Sequence, residues 1–561
     1  MAVARRTPAC VTGDGVSTIR ELVDETNKDP GRGEGHENSL TKITIDDLSI
    51  KLLHEEFLTP ESIVEAGRVV PLKSTANLST GGTADDVTDE VHPDNIFLAE
   101  RIARLMHLDI CGIDIMTKDV TQPITNKNGA VVEVNAGPGL RMHIAPSAGK
   151  PRNVAAPIVD MLFPDGSSGR IPLVAVTGTN GKTTTTRLIA HLASHAGFTP
   201  GFTTTDGIYI DGQLVEAGDC SGPRSAALVL ADPIVDFAVL ECARGGILRS
   251  GLGFDKCNVS VVTNISEDHL GIDGIDTIEG LARVKAVVPK CTFDSGYSIL
   301  NADDDLVFKM REGLSCNIAL FSLDACNPRI LKHISDGSIA AYVDQGGFYL
   351  SVGGEKQLVA SIDEVPLTFK GNAECMIKNV MPAILAAFVS DIPVSVIRQG
   401  LLSFIPSADS TPGRMNNFEF SNFNVLLDYA HNEDGMLQIQ KYAENVQASK
   451  KVGIIAAAGD RRPEDISIIG KIAAETFDEL IIRHDKDGRG RTNEEITSLL
   501  LEGISQVDDE IPVKIISKEI EAAEFAIRHA ETGSWIFINT EQVHKTSSFL
   551  KELHRLEMDE A

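Results

Sequence analysis

The chain has 561 residues, enough for three or four domains with ample core. Its 51 basic and 80 acidic side chains give a formal charge of −29. That excludes a broad nucleic-acid or anionic-membrane surface, because neutralising phosphates takes Lys/Arg stripes that this sequence lacks. With 42% hydrophobic and 23% charged residues, 48 Gly and one Trp, the composition is that of a soluble α/β protein, and the acidity serves solubility.

Nine Cys stand singly, without Cys-x-x-Cys or metal-ligand spacing. Cys111, Cys242 and Cys257 lie in apolar runs and read as reduced core thiols. No apolar run reaches transmembrane length, and the N-terminus lacks a signal-peptide core, so a cytoplasmic location is expected.

In chain order, residues 1–162 form a first region, ending at the Pro/Gly/Ser-rich joint Phe163 to Pro172. From 173 to 411, apolar strands alternate with helical patterns: 173–176, 237–240, 259–263 and 318–321, implying a mostly parallel sheet covered by helices. Residues 346–362 read as a small β insertion. After Thr411-Pro-Gly-Arg414 a second α/β series spans 412–561, with strands at 424–427, 452–456, 479–482, 513–516 and 535–538.

The run Val174 to Thr186 joins a β-branched strand to a helix through Gly178-Thr-Asn-Gly181-Lys182-Thr183. Such a loop can wrap a nucleotide phosphate in backbone N–H groups, with Lys182 bridging the β- and γ-phosphates and Thr183 holding Mg²⁺. The alternative is an ordinary tight βα turn. Downstream, functional residue types fall at strand ends, where open α/β sheets place their sites. Glu241 ends one strand and suits Mg²⁺ or a helix cap. His269, in Asn264-Ile-Ser-Glu-Asp268-His269, suits a metal or a structural role.

Together Gly178 to Thr184, Glu241, Thr263-Asn-Ile-x-x-Asp-His269, Leu300-Asn-Ala-Asp303, Pro412-Gly-Arg-Met415 and Asp428-Tyr-Ala-His-Asn432 resemble the Mur ligase family, which includes folylpolyglutamate synthase. The resemblance covers roughly 173–550. It implies ATP and Mg²⁺ as cofactors, held by the loop residues Gly178, Thr179, Asn180, Gly181, Lys182, Thr183 and Thr184. It also implies that Glu241 and His269 complete the metal shell and that Asn301 contacts adenine. Arg414, Asp428 and His431 would close over the nucleotide from the last domain. Lys285 falls where many members carry a carbamylated lysine that binds a second Mg²⁺; the plain alternative is an exposed helix lysine. Glu433 replaces the family's usual Pro. The implied chemistry is phosphorylation of a carboxylate by ATP, then attack of an amine on the acyl phosphate to form an amide.

Two further features narrow the choice. Gly459-Asp460-Arg-Arg462 and Arg489-Gly-Arg491 are basic clusters suited to carboxylates or to surface ion pairs. The run Glu241 to Gly253 resembles the cyanophycin synthetases, which build polyaspartate bearing arginine on each β-carboxylate. Val11 to Leu22, Arg32-Gly-Glu-Gly-His36, Asn77 to Gly82, Gly112-Ile-Asp114 and Val131-Val-Glu133-Val-Asn135-Ala-Gly-Pro-Gly139 resemble the latter half of that family's ATP-grasp domain. There Glu133 and Asn135, alternate residues on one strand face, would hold Mg²⁺ with Asp114; taken alone they read as a solvated strand.

The fold class expected is thus α/β, a Mur ligase-like P-loop central domain and a Rossmann-like C-terminal domain, preceded by a partial α+β ATP-grasp domain. The resemblance implies a poly-aspartate or cyanophycin chain, arginine and aspartate as partners, no nucleic acid, no membrane, and a homo-oligomer. Matching sequence begins almost at Met1, already inside the ATP-grasp domain, so the aspartate-adding reaction is expected to be impaired and arginine addition retained. Another Mur-type ligase, acting on a peptidoglycan precursor or a folate, and a non-catalytic fragment or subunit are the competing readings.

Overall fold

A computed structural model describes the chain except His36, His269, Ile272 and Ala561, with no side chain described at Asp165 or at 558–560. The described residues form two compact units, 1–170 and 171–561.

The first unit is α+β, built from short paired strands and helices. The helix Ile19–Thr26 starts where Thr18 and Glu21 cap each other: the Thr18 hydroxyl accepts from Glu21 N, and the Glu21 carboxylate accepts from Thr18 N at 2.8 Å. Its buried Ile19 and Val23 pack with Val11, Leu53, Val70 and Leu72 into a small core. A separate antiparallel hairpin pairs Gly112–Thr117 with Gly129–Asn135. Successive strand residues face opposite sides, yet Val131 is 41% and Val132 62% exposed, so both faces of the hairpin are open.

In the second unit, Leu173–Thr177 lies at the heart of an eleven-stranded sheet, between Phe237–Glu241 and Cys257–Val262 and parallel to both. Pro200–Thr204 on one side and 292–301, 317–322 and 339–344 on the other continue the parallel set. Antiparallel strands close each edge, Gly207–Ile210 and Gln213–Ala217 at one, Gly347–Val352 and Glu355–Ser361 at the other. The expected insertion at 346–362 is therefore part of the main sheet. The pattern did not announce the strand at 200–204, which opens on Pro-Gly, or the one at 292–301, which polar residues interrupt.

In the helix Lys182–His195, Lys182 is followed by four threonines, poor helix formers because branching at Cβ restricts χ1. Tertiary packing overrides that preference: Thr183 to Ala190 are all buried between the sheet and its neighbours. A second, six-stranded sheet runs 416–419, 423–428, 534–539, 451–455, 479–482, 513–515 in spatial order, parallel except for its first strand.

The expected division near residue 411 separates these two sheets but not two cores. One apolar cluster runs from Val174 and Leu188 through Met376 and Ile377 of the helix Glu374–Phe388 to Met436, Ile439 and Phe537. Cys242 and Cys257 are buried as expected, whereas Cys111 is only half-buried.

Candidate active site

The loop between Leu173–Thr177 and Lys182–His195 has a backbone only glycine can supply. Gly178 sits at φ 145°, and a Cβ there would lie 1.9 Å from Thr263 Oγ1. Gly181, at φ 84°, caps the helix, and a Cβ there would lie 2.1 Å from Asn379 Oδ1. The loop is braced from outside: Thr179 N donates to Asn264 O at 2.9 Å, Asn180 N to Asn264 Oδ1 at 2.9 Å, and Thr263 Oγ1 to Asn180 O at 2.6 Å. The first helical turn leaves its N–H groups without intrahelical partners, which makes this end attract anions.

Behind the loop, Thr183 Oγ1 donates to Glu241 Oε2 at 2.9 Å, and Thr205 N donates to the same oxygen at 3.3 Å. Glu241 ends its strand fully enclosed, and burial pushes its carboxyl above the usual range against the pull of Lys182. Its other oxygen, Oε1, is buried with no donor among the described residues. The helix that follows, Arg244–Ser250, takes no side-chain cap, so Glu241 does not serve as one. A buried carboxylate with one orphaned oxygen beside a threonine hydroxyl is a hard-oxygen donor set, and it fits Mg²⁺. Lys182 Nζ lies across the loop, donating to Thr179 O at 2.8 Å.

Lys285 is not an exposed helix lysine. It is 3% exposed, and its Nζ donates to Gly178 O at 2.6 Å. Burial, helped by the charge of Lys182, lowers its amine to about 7. His269 lies outside the described residues. Its neighbour Asp268 lines the same cavity and pairs with Arg461 at 2.8 Å.

The cavity, of about 910 Å³, opens between the two sheets. From the C-terminal side, Arg414 stacks over the Tyr429 ring at 4.9 Å and reaches toward Thr205 Oγ1 at 3.5 Å. Asp428, pushed up by burial against the pull of Arg414, accepts from Met415 N at 2.7 Å. His431, held below its usual range by burial, lines the cavity with its Nδ1 3.0 Å from Tyr429 O. Asn180 at the loop tip donates to Asp434 Oδ2 at 2.6 Å, tying the phosphate loop to the C-terminal helix Glu433–Asn445. Glu433 opens that helix after the capping Asn432, a first-turn position where proline and an acidic residue are both welcome.

Asn301 does not line the cavity; it is buried and donates to Thr263 O at 2.8 Å, bracing a neighbour of the loop. Of the basic clusters, Arg462 pairs with Glu267 at 2.5 Å and Asp465 at 2.7 Å, and Arg491 donates to Gly459 O at 2.7 Å. Those residues join loops together, while Arg489 lines the cavity. Sequence reading missed Asp434, Thr205 and Asn379, whose roles depend on elements brought together only by folding.

In the first unit, Asp114 and Glu133 face each other in register on the hairpin, and Asn135 shares their side. The Asp114 carboxylate is already paired with Arg6 at 2.6 Å, and Glu133 is exposed. Among the described residues 1–170, no buried carboxylate oxygen lacks a donor. These oxygens are exposed or already paired, unlike the buried, donorless Glu241 Oε1.

A glycine-bounded loop, a buried acid behind it and an arginine and an aspartate from a following α/β domain line one cavity, and the family comparisons fit that arrangement. Residues 176–387 match the Mur ligase middle domain and 413–539 the Mur ligase glutamate ligase domain, with 70–162 matching the RimK-like ATP-grasp domain. Two of the three matches, 176–387 and 413–539, are thus to Mur ligase domains. FolC of E. coli, solved with DHPP and ADP, shares the fold at a TM-score of 0.50 and 18% identity, covering 69% of this chain and 89% of that one. More particularly, the chain is 48% identical to cyanophycin synthetase of Geminocystis herdmanii over 99% of its length, and 47% identical to that of Synechocystis over 98%. It spans 63% of the length of each of those two relatives. No helix among the described residues is long and apolar enough to cross a membrane.

Proposed function

We propose that residues 171–561 form an ATP-dependent carboxylate–amine ligase that joins arginine to the β-carboxylates of a poly-aspartate chain. The observation that carries the reading is the pair Thr183–Glu241, with its orphaned Oε1, set behind a phosphate loop that shares one cavity with Arg414 and Asp428. The likeness to cyanophycin synthetases supports the choice of substrates.

Thr183 and Glu241 would hold Mg²⁺, which supplies charge neutralisation on phosphate oxygens. Lys182 adds a positive charge over the loop, and the helix end adds N–H donors for the β-phosphate. Arg414, fixed over Tyr429, closes the nucleotide side from the C-terminal domain. The acceptor carboxylate attacks the γ-phosphorus; the bond to the β–γ bridging oxygen breaks, leaving ADP and an acyl phosphate. The entering amine then attacks the acyl carbon, phosphate leaves with the C–O electron pair, and the amine loses a proton. Lys285, largely neutral above about pH 7, is suited to react with CO₂ and become a second oxygen donor. We read the chain as cytosolic and homo-oligomeric; light scattering of the purified protein checks the oligomeric state.

The test is direct. With poly-aspartate, arginine, ATP and Mg²⁺, the full chain should incorporate arginine and release ADP stoichiometrically. ADP release that responds to a muramyl peptide or a folate, and not to aspartyl peptides, would replace this reading with another Mur-type ligase. The core of the 1–170 unit weighs against the non-catalytic reading, which predicts early proteolysis there.

A further inference from the structure

The phosphate chemistry leaves several charged groups at the C-terminal wall of the cavity without a task. Glu541 follows the strand Ser534–Asn539 and lines both the large cavity and a smaller adjoining one of about 70 Å³. Its carboxylate accepts one bond, from Lys486 N at 3.2 Å, and among the described residues no cation pairs with it. A partly enclosed carboxylate without a cation is an unbalanced charge at a cavity wall.

The loop that carries Glu541 is held from behind. Glu519, 1% exposed, accepts from Glu541 N at 3.0 Å and Gln542 N at 3.4 Å, and from the hydroxyls of Thr540 and Thr546. Arg483 Nε lies 3.4 Å from the same carboxylate. A buried acid with this many donors fixes its surroundings, and what it fixes is the backbone under Glu541.

A second carboxylate faces the same space. Asp460 lines the large cavity; its Oδ1 is out of solvent reach and takes no hydrogen bond among the described residues. Among the described residues its Oδ2 meets only Arg489 Nη1, at 3.5 Å, the outer limit of a hydrogen bond. Arg489 itself sits at φ 44°, a left-handed backbone that non-glycine residues avoid. The position opposite Asp460 is thus filled by a loosely held guanidinium from a strained residue.

We infer that Glu541 and Asp460 recognise the guanidinium of the entering amine, with Glu519 as the positioning residue for Glu541. The inference rests on the ligase reading above and specifies where its selectivity resides. A planar guanidinium offers five donors in a fork that two carboxylates can share, whereas an ammonium is a single point donor and a neutral ureido group lacks the charge.

The experiment measures steady-state kinetics of the full chain with poly-aspartate, ATP and either arginine or citrulline, its neutral isostere. Glu541→Gln should raise KM for arginine about tenfold or more, leave KM for ATP within about twofold, and shrink the arginine-to-citrulline preference by a similar factor. Asp460→Asn should do the same to a smaller degree. Glu519→Gln should raise KM for arginine without changing KM for ATP; a circular-dichroism melt identifies simple unfolding, and Glu541→Gln, a cavity-wall change, then decides. If the wild type uses arginine and Glu541→Gln keeps the full arginine preference, the inference falls and the ligase reading stands. If the wild type uses no arginine while turning over another amine, the ligase reading falls and takes the inference with it.

Discussion

The chain carries two sets of acidic donors, and they differ in how far folding commits them. In the 171–561 unit, Glu241 is enclosed, one oxygen is fixed by Thr183 and Thr205, and the other is left without a donor. In the 1–170 unit, Asp114, Glu133 and Asn135 line up on a hairpin open on both faces, and Arg6 already neutralises Asp114. Sharing a strand face is therefore a weak criterion for a cation site. What distinguishes the first set is desolvation without compensation, which stores a demand for a cation that an exposed carboxylate never has.

The widest contrast should come from charge removal. Lys182→Ala should lower arginine-dependent ADP release by about 10³-fold, the loss typical of a preorganised charge at a reacting phosphate, while Glu133→Gln should leave that rate within about twofold. Equal losses in both variants would break the comparison. Next comes backbone geometry: Gly178→Ala forces a Cβ to 1.9 Å from Thr263 Oγ1 and should cost about 3 kcal/mol in urea denaturation. By contrast Gly137→Ala in the first unit, where an added Cβ meets nothing within 4 Å, should cost under about 1 kcal/mol.

Lys285→Met should reduce turnover by about 10- to 100-fold. In wild type the rate should fall when bicarbonate is removed and rise as pH increases through about 7, because the neutral amine grows in that direction; a bicarbonate-independent rate would count against carbamylation. The smallest effect concerns His191, whose ring meets Ser403 at 2.9 Å and whose pKa burial lowers. With the folded value below the unfolded one, the unfolded state binds more protons, so stability present above about pH 6.5 is lost on acidification. His191→Gln should remove about 1 kcal/mol or less of that pH dependence between pH 7 and 5, read from thermal melts.

The glycine-bounded loop, its strand and helix, and Glu241 at a strand end were legible because glycine placement and strand-end position are local properties of sequence. Arg414, Asp428 and His431 were legible only through resemblance, since no local rule brings them to a loop more than 230 residues away. Lys285 was ambiguous for a physical reason: the helix Ile278–Lys285 mixes polar and apolar residues, and only the packed structure shows Lys285 on its buried side. At Asp114 and Glu133, period-two placement could not say that Arg6, over 100 residues earlier, reaches the aspartate. Asn301 likewise occupies a matching motif but points its amide at Thr263 rather than into the cavity.

The apolar cluster shared by the two sheets of the larger unit bears on how such a chain can be assembled over evolutionary time. A recombination crossover near residue 170 would pass between separate cores, and either side could be inherited with a new neighbour. A crossover near 411 would split Met376 and Ile377 from Met436 and Ile439, so both halves would have to be inherited together or repacked. The seam that matters for shuffling is therefore not the one between the two sheets of the larger unit.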